Sequence, residues 1–312
     1  MMILISYIIP AYNAGLYLEA CIDSIYGVDM GRYDREVIVV NDGSTDDTAS
    51  ILAKLKQKYP DLQIYAQPNS GQSVARNVGL RHASGKYVYF VDADDAIDVE
   101  GASSFPFECL ERESLDLYGV NLNKVCGEEK RPYRRYAPLY NYIFKPARQY
   151  MKDRNLQPCP CAYLYRREFL EATGLRFHEG IFHEDEEWAP MAFALAESFV
   201  ALDVDFYLRY IREESTTTTT DQKKQERKLR DMLTVISTLD SYLKRHPDMR
   251  PYMSMKLDYL CVDMLRLLRR QHHQKSFCRE MIQALRNMGY FPLHKHSGMK
   301  YRIFRLLTRC IY

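Results

Sequence analysis

The chain has 312 residues, 46% of them hydrophobic and 27% charged, the balance of an ordinary globular protein and not of a disordered or collagen-like one. No apolar run reaches the roughly 18 residues a membrane-spanning helix needs, and the opening MMILISYIIPAYN lacks the basic segment and small-residue cleavage site of a secretory signal, so it reads as a first strand. The net charge of +2 hides an asymmetry: residues 1–221 carry 23 Lys and Arg against 34 Asp and Glu, whereas residues 222–312 carry 20 against 7.

The first hundred residues alternate between two periods. ILISYIIP is short, β-branched and apolar. In AGLYLEACIDSIYG, Leu18, Ile22 and Ile25 recur at i, i+4, i+7, one face of a helix. EVIVV is a buried strand, and NDGSTDD after it places Ser44 three residues before Asp47, a capping-box spacing. It opens the helix TASILAKLKQKYP, whose Leu52, Leu55 and Tyr59 share a face and which Pro60 closes. LQIYAQ is a third strand, GQSVARNVGLRHASG a third helix and KYVYFV a fourth strand. Such a βαβαβαβ order predicts a mostly parallel sheet, flanked by helices and joined by right-handed crossovers.

Ligands of open α/β sheets sit beyond the carboxyl ends of the strands. Three polar clusters fall there: PAYN after the first strand, NDGSTD after the second and DADD after the fourth. The last holds three carboxylates in four positions, Asp92, Asp94 and Asp95. Two carboxylates about 4 Å apart repel by roughly 4 kcal/mol at the effective dielectric near a protein surface. A shared divalent cation relieves that repulsion, and hard oxygen ligands suit Mg²⁺ or Mn²⁺. Mg²⁺ usually takes only one or two carboxylates and completes its shell with water and substrate phosphates, so DADD fits a metal–diphosphate site better than a closed structural one. The plainer reading is a solvated helix start, where Asp is common; Asp42 beside Gly43 is likewise compatible with a simple turn, and Tyr12 with a surface aromatic.

From Ile97 to Pro158 aromatics and mixed charge follow no period. CAYLYRREFLEATGLRF then reads as a strand and a short helix, and HEGIFHEDEEWAPMAFALAESF as an acidic loop, Glu184 to Glu187, leading into a helix with Trp188, Met191 and Leu195. VALDVDFYLRYI is one or two strands, and REESTTTTTD a loop. From Gln222 the pattern is helical and basic. The eight cysteines are scattered; only Cys159 and Cys161 are close, in a CPC spacing that suits neither zinc nor a thioredoxin-type dithiol, which leaves reduced thiols of a cytosolic protein.

In order and spacing, ISYIIPAYNAGLYLEACIDSI, EVIVVNDGSTDDT, NSGQSVARNVGLRHASGKYVYFVDADD and GIFHEDEEW resemble the family 2, GT-A fold nucleotide-sugar glycosyltransferases. The likeness is dense from Ile3 to Asp98 and returns from Cys161 to Ser215. It implies a GT-A α/β fold, Rossmann-like, with an α-helical C-terminal extension. The domains expected are a catalytic domain over 1–221, divided into a nucleotide-binding half (1–98) and an acceptor half (99–221), and a basic helical region over 222–312. The resemblance gives Pro10, Ala11 and Tyr12 to the lining of the base, with Tyr12 stacking, and Asp42 to a hydrogen bond with the base, commonly uracil. Arg76 faces the nucleotide-sugar. Asp92-Ala93-Asp94 is the family's Asp-x-Asp, with Asp94 on the metal (Mn²⁺ or Mg²⁺) and Asp92 on sugar or ribose. Asp185 is the catalytic base. Two departures stand out: Asn41, where the family usually has a second Asp, and REEST, where Gly often precedes the Ser. The activity implied is metal-dependent, inverting transfer of a sugar from a UDP-linked donor to a hydroxyl on a carbohydrate or lipid-linked carbohydrate, in polysaccharide or glycolipid synthesis.

The tail KYRIFRLLTRCIY sets Arg302, Arg305 and Arg309 on one helical face and Ile303, Leu306, Leu307 and Cys310 on another. That is a short basic amphipathic helix suited to an anionic membrane surface, though any surface helix packed on its own domain has such a stripe. The location expected is the cytoplasm, with peripheral attachment to the inner face of the membrane if the tail binds lipid. Two rival functions are weighed. A metal-dependent nucleotidyltransferase would want a Gly-rich basic phosphate loop, and PAYNAG has neither a Gly cluster nor a cation. A nucleic-acid-binding protein using the basic segment ranks last, because its cations lie on amphipathic helices without an RNA-binding or helix-turn-helix signature; nucleic acid is not an expected partner.

Overall fold

The structure, a computed structural model, describes residues 2–211, 221–270 and 273–291. Its contacts divide the chain into two units. The first comprises Met1–Arg148, Cys159–Gly180 and Met191–Glu213, the second Gln149–Pro158, Ile181–Pro190 and Glu214–Tyr312.

The first unit is built on a nine-stranded sheet. β1 (Ile3–Ala11), β2 (Asp34–Asp42), β3 (Gln63–Gln67) and β4 (Tyr87–Phe90) run parallel in the order β3-β2-β1-β4. They alternate with α1 (Gly15–Gly27), α2 (Thr48–Lys58) and α3 (Gln72–His82). β1 and β4 are central and covered on both sides, so they are near-continuous apolar runs and not alternating ones: Leu4, Ile5, Tyr7, Ile8 and Ile9 are fully buried, as are Tyr87, Val88 and Tyr89. α1 buries Leu18, Cys21, Ile22 and Ile25, which contains the face read from its spacing. α3 comes close to β1 because Gly79 has no side chain; a Cβ there would stand 2.3 Å from Cγ2 of Ile8.

Beyond β4 the direction reverses. β8 (Tyr163–Arg166) pairs antiparallel with β4 and with β6 (Leu117–Cys126). β9 (Phe199–Tyr210) lies parallel to β6, β5 (Ala96–Ile97) antiparallel to β9, and β7 (Glu129–Arg134) forms a hairpin with β6. β1, β2, β3, β4, β6 and β9 therefore point the same way. Short helices α4 (Val99–Ser103), α5 (Glu108–Arg112) and α6 (Arg167–Thr173) fill the connections. α7 (Glu184–Leu195) begins at the acids expected to form a loop; Glu184, Asp185, Glu186 and Glu187 occupy its first turn, where carboxylates complement the helix dipole.

The second unit contains three amphipathic helices: α8 (Gln222–Arg245), α9 (Arg250–Arg270) and α10 (Lys275–Asn287). The Asp221 side chain caps α8, accepting from the backbone N–H groups of Lys223 at 2.9 Å and Lys224 at 3.4 Å. Leu229, Met232, Val235 and Ile236 of α8, Leu257, Leu260 and Met264 of α9, and Phe277, Met281 and Leu285 of α10 are buried. Among the described residues no helix is long and apolar enough to cross a membrane. The basic amphipathic tail and the Ser215–Thr220 loop lie outside the described residues.

Candidate active site

Parallel pairing brings the strand ends together. Ala11 is the register partner of Asn41, and Ile8 of Phe90, so the C-terminal ends of β2, β1 and β4 share one edge of the sheet. Pro10, Ala11, Tyr12, Asp42, Asp92, Ala93 and Asp94 all fall on that edge. Tyr12 leaves half its surface open, at 51%, while Ala11 and Ala93 are buried.

The loops after β1 and β2 are joined by short polar side chains. The Asn13 N–H donates to Oγ of Ser44 (3.0 Å), the Thr45 N–H to Oδ1 of Asn13 (2.8 Å) and the Ser44 N–H to Oδ1 of Asn41 (3.0 Å). An amide carbonyl serves as well as a carboxylate for that last bond, which gives the Asn41 departure a structural use. The capping-box reading of Ser44 fails for the same reason. Its hydroxyl is engaged 31 positions away, and α2 starts after Asp47 with no side-chain cap.

Asp42 is buried, and its carboxylate faces its own chain. It accepts from Nε2 of Gln67 (2.7 Å), the Ser70 N–H (2.8 Å) and the Gly71 N–H (2.8 Å). These bonds hold the loop that enters α3 through Gly71, whose φ of +92° suits glycine. A carboxylate has about four lone-pair sites, so Asp42 both fixes this loop and retains acceptor capacity at the strand edge.

Arg76 and Asp92 meet. Buried on α3, Arg76 donates from Nη2 to Oδ1 of Asp92 at 2.8 Å, with Phe177 under its guanidinium, 5.2 Å from the ring centroid. Neighbouring Asn77 fixes the strap around Phe177: its Nδ2 donates to the Phe177 carbonyl and to Oε1 of Glu179, and its Oδ1 accepts the Phe177 N–H, all at 2.9 Å. The turn after β4 is closed by the Asp95 N–H on the Asp92 carbonyl (3.0 Å).

Asp95 is not a helix cap. It is 6% exposed, and it accepts from the Tyr207 hydroxyl (2.8 Å) and the Tyr210 N–H (2.9 Å) of β9. The same hydroxyl accepts the Asp92 N–H at 3.1 Å. Burial, and then the charges of Asp92 and Asp94, push the Asp95 carboxyl up to about 8. Tyr207 thus braces the acidic turn from β9, more than a hundred positions on, a role without local signal in the sequence.

The three acids are sorted by surroundings: Asp94 is exposed, Asp92 half-buried on Arg76, and Asp95 consumed by β9. Among the described residues no group of three or more His, Cys, Asp or Glu side chains gathers as a closed metal site. One or two turn carboxylates fit a Mg²⁺ or Mn²⁺ ion that completes its shell with phosphate and water oxygens. Asp94 would hold it, with Asp92 the second available oxygen ligand.

In the second unit, Asp185 is half-buried in the first turn of α7 and accepts the Glu186 N–H at 2.9 Å. The segment before it is fixed. The Phe182 N–H donates to Oδ2 of Asp231 (3.0 Å), Arg227 and Lys228 lie 5.3 and 5.5 Å from the Phe182 ring centroid, and His183 has a φ of +65°. The buried Lys256 ammonium pairs with Glu186 and donates to the Leu156 carbonyl at 3.0 Å. Asp231 and Lys256 were not identifiable from their sequence surroundings.

The chain matches the family model for glycosyl transferase family 2 over residues 6–174, more than half its length. It belongs to that family. It is 32% identical over 214 residues to the uncharacterized glycosyltransferase EpsJ of Bacillus subtilis, a match covering 66% of this chain and 60% of EpsJ. The chain thus spans three-fifths or less of the first curated relatives it matches. In fold it is similar to Staphylococcus aureus TarS 1–349 in complex with UDP-GlcNAc, with a TM-score of 0.64 at 19% identity over 99% of this chain and 92% of that one. A second likeness is to the Pyrobaculum calidifontis mannosyltransferase PcManGT in complex with GDP-Man and Mn²⁺, with a TM-score of 0.55 at 18% identity over 100% and 88%. The fold is GT-A, with a helical C-terminal region.

Proposed function

We propose that this glycosyltransferase-family chain transfers a sugar, with inversion, from a nucleoside diphospho-sugar to a hydroxyl of a glycan or lipid-linked glycan, in a metal-dependent reaction. The observation that carries this is the meeting of three strand ends on one edge of the sheet, where an exposed Asp94 and an Arg76-bound Asp92 lie beside the Tyr12 and Asp42 strand ends. Tyr12 offers an open ring for the base, and Asp42 an acceptor for a base N–H. Asp94 would hold a divalent cation, which when bound would neutralise charge on a leaving diphosphate. Arg76 orients Asp92, which is then set to accept from sugar or ribose hydroxyls. Asp185 takes the proton of the acceptor hydroxyl as that hydroxyl attacks the anomeric carbon. Single displacement turns an α-linked donor into a β-glycoside.

Uridine is the base proposed, since the TarS structure above holds UDP-GlcNAc; the PcManGT structure holds GDP-Man, so both nucleotides belong in the test. The full chain is assayed for hydrolysis or transfer across UDP- and GDP-sugars, with Mn²⁺ and with EDTA. Mn²⁺-dependent release of UDP is expected. Turnover unaffected by chelation defeats the metal assignment, and salt-sensitive oligonucleotide binding without any turnover favours the nucleic-acid reading.

A further inference from the structure

β6 and β9 place two cations side by side. Lys124 and Arg209 are register partners in this parallel pair, on strands about 4.8 Å apart. Like charges directly opposite one another across a sheet are destabilising. Both lean on Tyr133 of β7: the Lys124 ammonium is 3.8 Å from the ring centroid, and the Arg209 guanidinium is 5.6 Å from it and donates to the Tyr133 hydroxyl at 3.4 Å. Neighbouring cations are neutralised. Lys130 pairs with Asp98, Arg131 with Glu129 at 2.6 Å and Arg135 with Asp205 at 3.1 Å. Among the described residues Lys124 and Arg209 form no ion pair, although both are only partly exposed. An aromatic face attracts a cation but does not cancel its charge.

The location supplies the meaning. Residues two apart on a strand share a face, so Arg209 stands on the face of Tyr207, whose hydroxyl reaches Asp92 and Asp95. β6 and β9 end on the same edge as β4, and the strand order puts them on the opposite side of β4 from β1 and β2, which carry Tyr12 and Asp42. A ligand anion held there lies beyond the acidic turn, away from the nucleotide end.

We propose that Lys124 and Arg209, on the platform of Tyr133, form a subsite for an anionic group on the acceptor, a phosphate or carboxylate near the hydroxyl to be glycosylated. The direction "away from the nucleotide" rests on the donor-site reading above; the anion subsite itself does not. The test titrates the full chain with glucose 6-phosphate, methyl β-glucuronide and neutral methyl β-glucoside, at low and high salt, and repeats this with Lys124→Gln, Arg209→Gln and the double variant. UDP affinity with Mn²⁺ is measured in parallel. The wild type should bind one or both anionic sugars, more weakly at high salt, and not the neutral one; which anion it prefers separates phosphate from carboxylate. Each single variant should weaken anion binding by about tenfold, the loss of one charge-assisted contact, with UDP affinity unchanged and melting temperature no lower. Equal binding of charged and neutral sugars, variants that bind like the wild type, or UDP affinity falling in step overturns the proposal, the last by assigning the pair to the donor diphosphate. Failure of UDP to bind the wild type defeats the donor reading, and the sugar titrations alone then decide the subsite.

Discussion

Replacing Tyr207 with Phe removes one oxygen and two hydrogen bonds. The hydroxyl donates to the buried Asp95 carboxyl at 2.8 Å and accepts the Asp92 N–H at 3.1 Å. The phenylalanine ring fits the same space, so no cavity term enters. With its carboxyl pushed up to about 8, Asp95 is mostly neutral at pH 7, so each bond contributes about 0.5–1.5 kcal/mol and the expected loss is about 1–3 kcal/mol. At roughly 2–4 °C per kcal/mol for a unit of this size, melting should fall by about 2–12 °C. Urea unfolding measures the energy directly, and Tyr207→Phe with Asp95→Ala and the double variant completes a cycle whose coupling should reach about 0.5–1.5 kcal/mol. Donor binding should weaken as well, because the turn carrying Asp92 and Asp94 loses its tie to β9. A loss below about 0.5 kcal/mol, or additive single effects, would refute the view that Tyr207 braces the turn.

Asp185→Asn should lower turnover by about 10²–10⁴-fold while donor affinity survives; equal loss of donor binding defeats the base role. Asp94→Asn should weaken Mn²⁺-dependent donor binding, and affinity that is the same with and without Mn²⁺ counts against the metal assignment. Gly79→Ala drives a methyl to 2.3 Å from Cγ2 of Ile8, so thermal melting should report an overpacking cost of about 1–3 kcal/mol. Burial holds His183 below its ordinary value of 6.5. The folded state therefore prefers the neutral ring, and stability fully present above pH 6.5 is lost as pH falls toward the depressed value. His183→Asn, which tolerates the φ of +65°, should flatten that acid-side loss; an unchanged pH slope shows that other groups cause it.

The parallel half of the sheet was legible because each of its elements carries its own period. Leu18, Ile22 and Ile25 announce a helix face without reference to anything distant, and β1 is a near-continuous apolar run because both its faces are buried. The acidic turn was legible for the same local reason. What the sequence concealed depends on partners far along the chain. β6 carries Asn121 and Asn123 in a buried strand, an unreadable pattern until Asp203 and Asp205 are seen to accept from them at 2.7 and 3.0 Å. Ser44 has a capping spacing but spends its hydroxyl on Asn13. Asp95 passes for a solvated acid until Tyr207 and Tyr210 arrive from β9.

The reversal between β4 and β8 has a further consequence. The ladder joining β2, β1 and β4 is complete without any bond from β6 or β7. The β6–β7 hairpin turns at Gly127, with a φ of +58°, and among the described residues pairs only with strands on its own side of the reversal. A lineage can therefore lengthen or shorten the tip of that hairpin around Gly127 without moving the register at Ala11 or Ile8. The two halves are tied by side chains instead, Tyr207 of β9 on Asp92 and Asp95 and Lys130 of β7 on Asp98, so a single scaffold can diversify at the hairpin tip while those ties hold its strand-end acids in place.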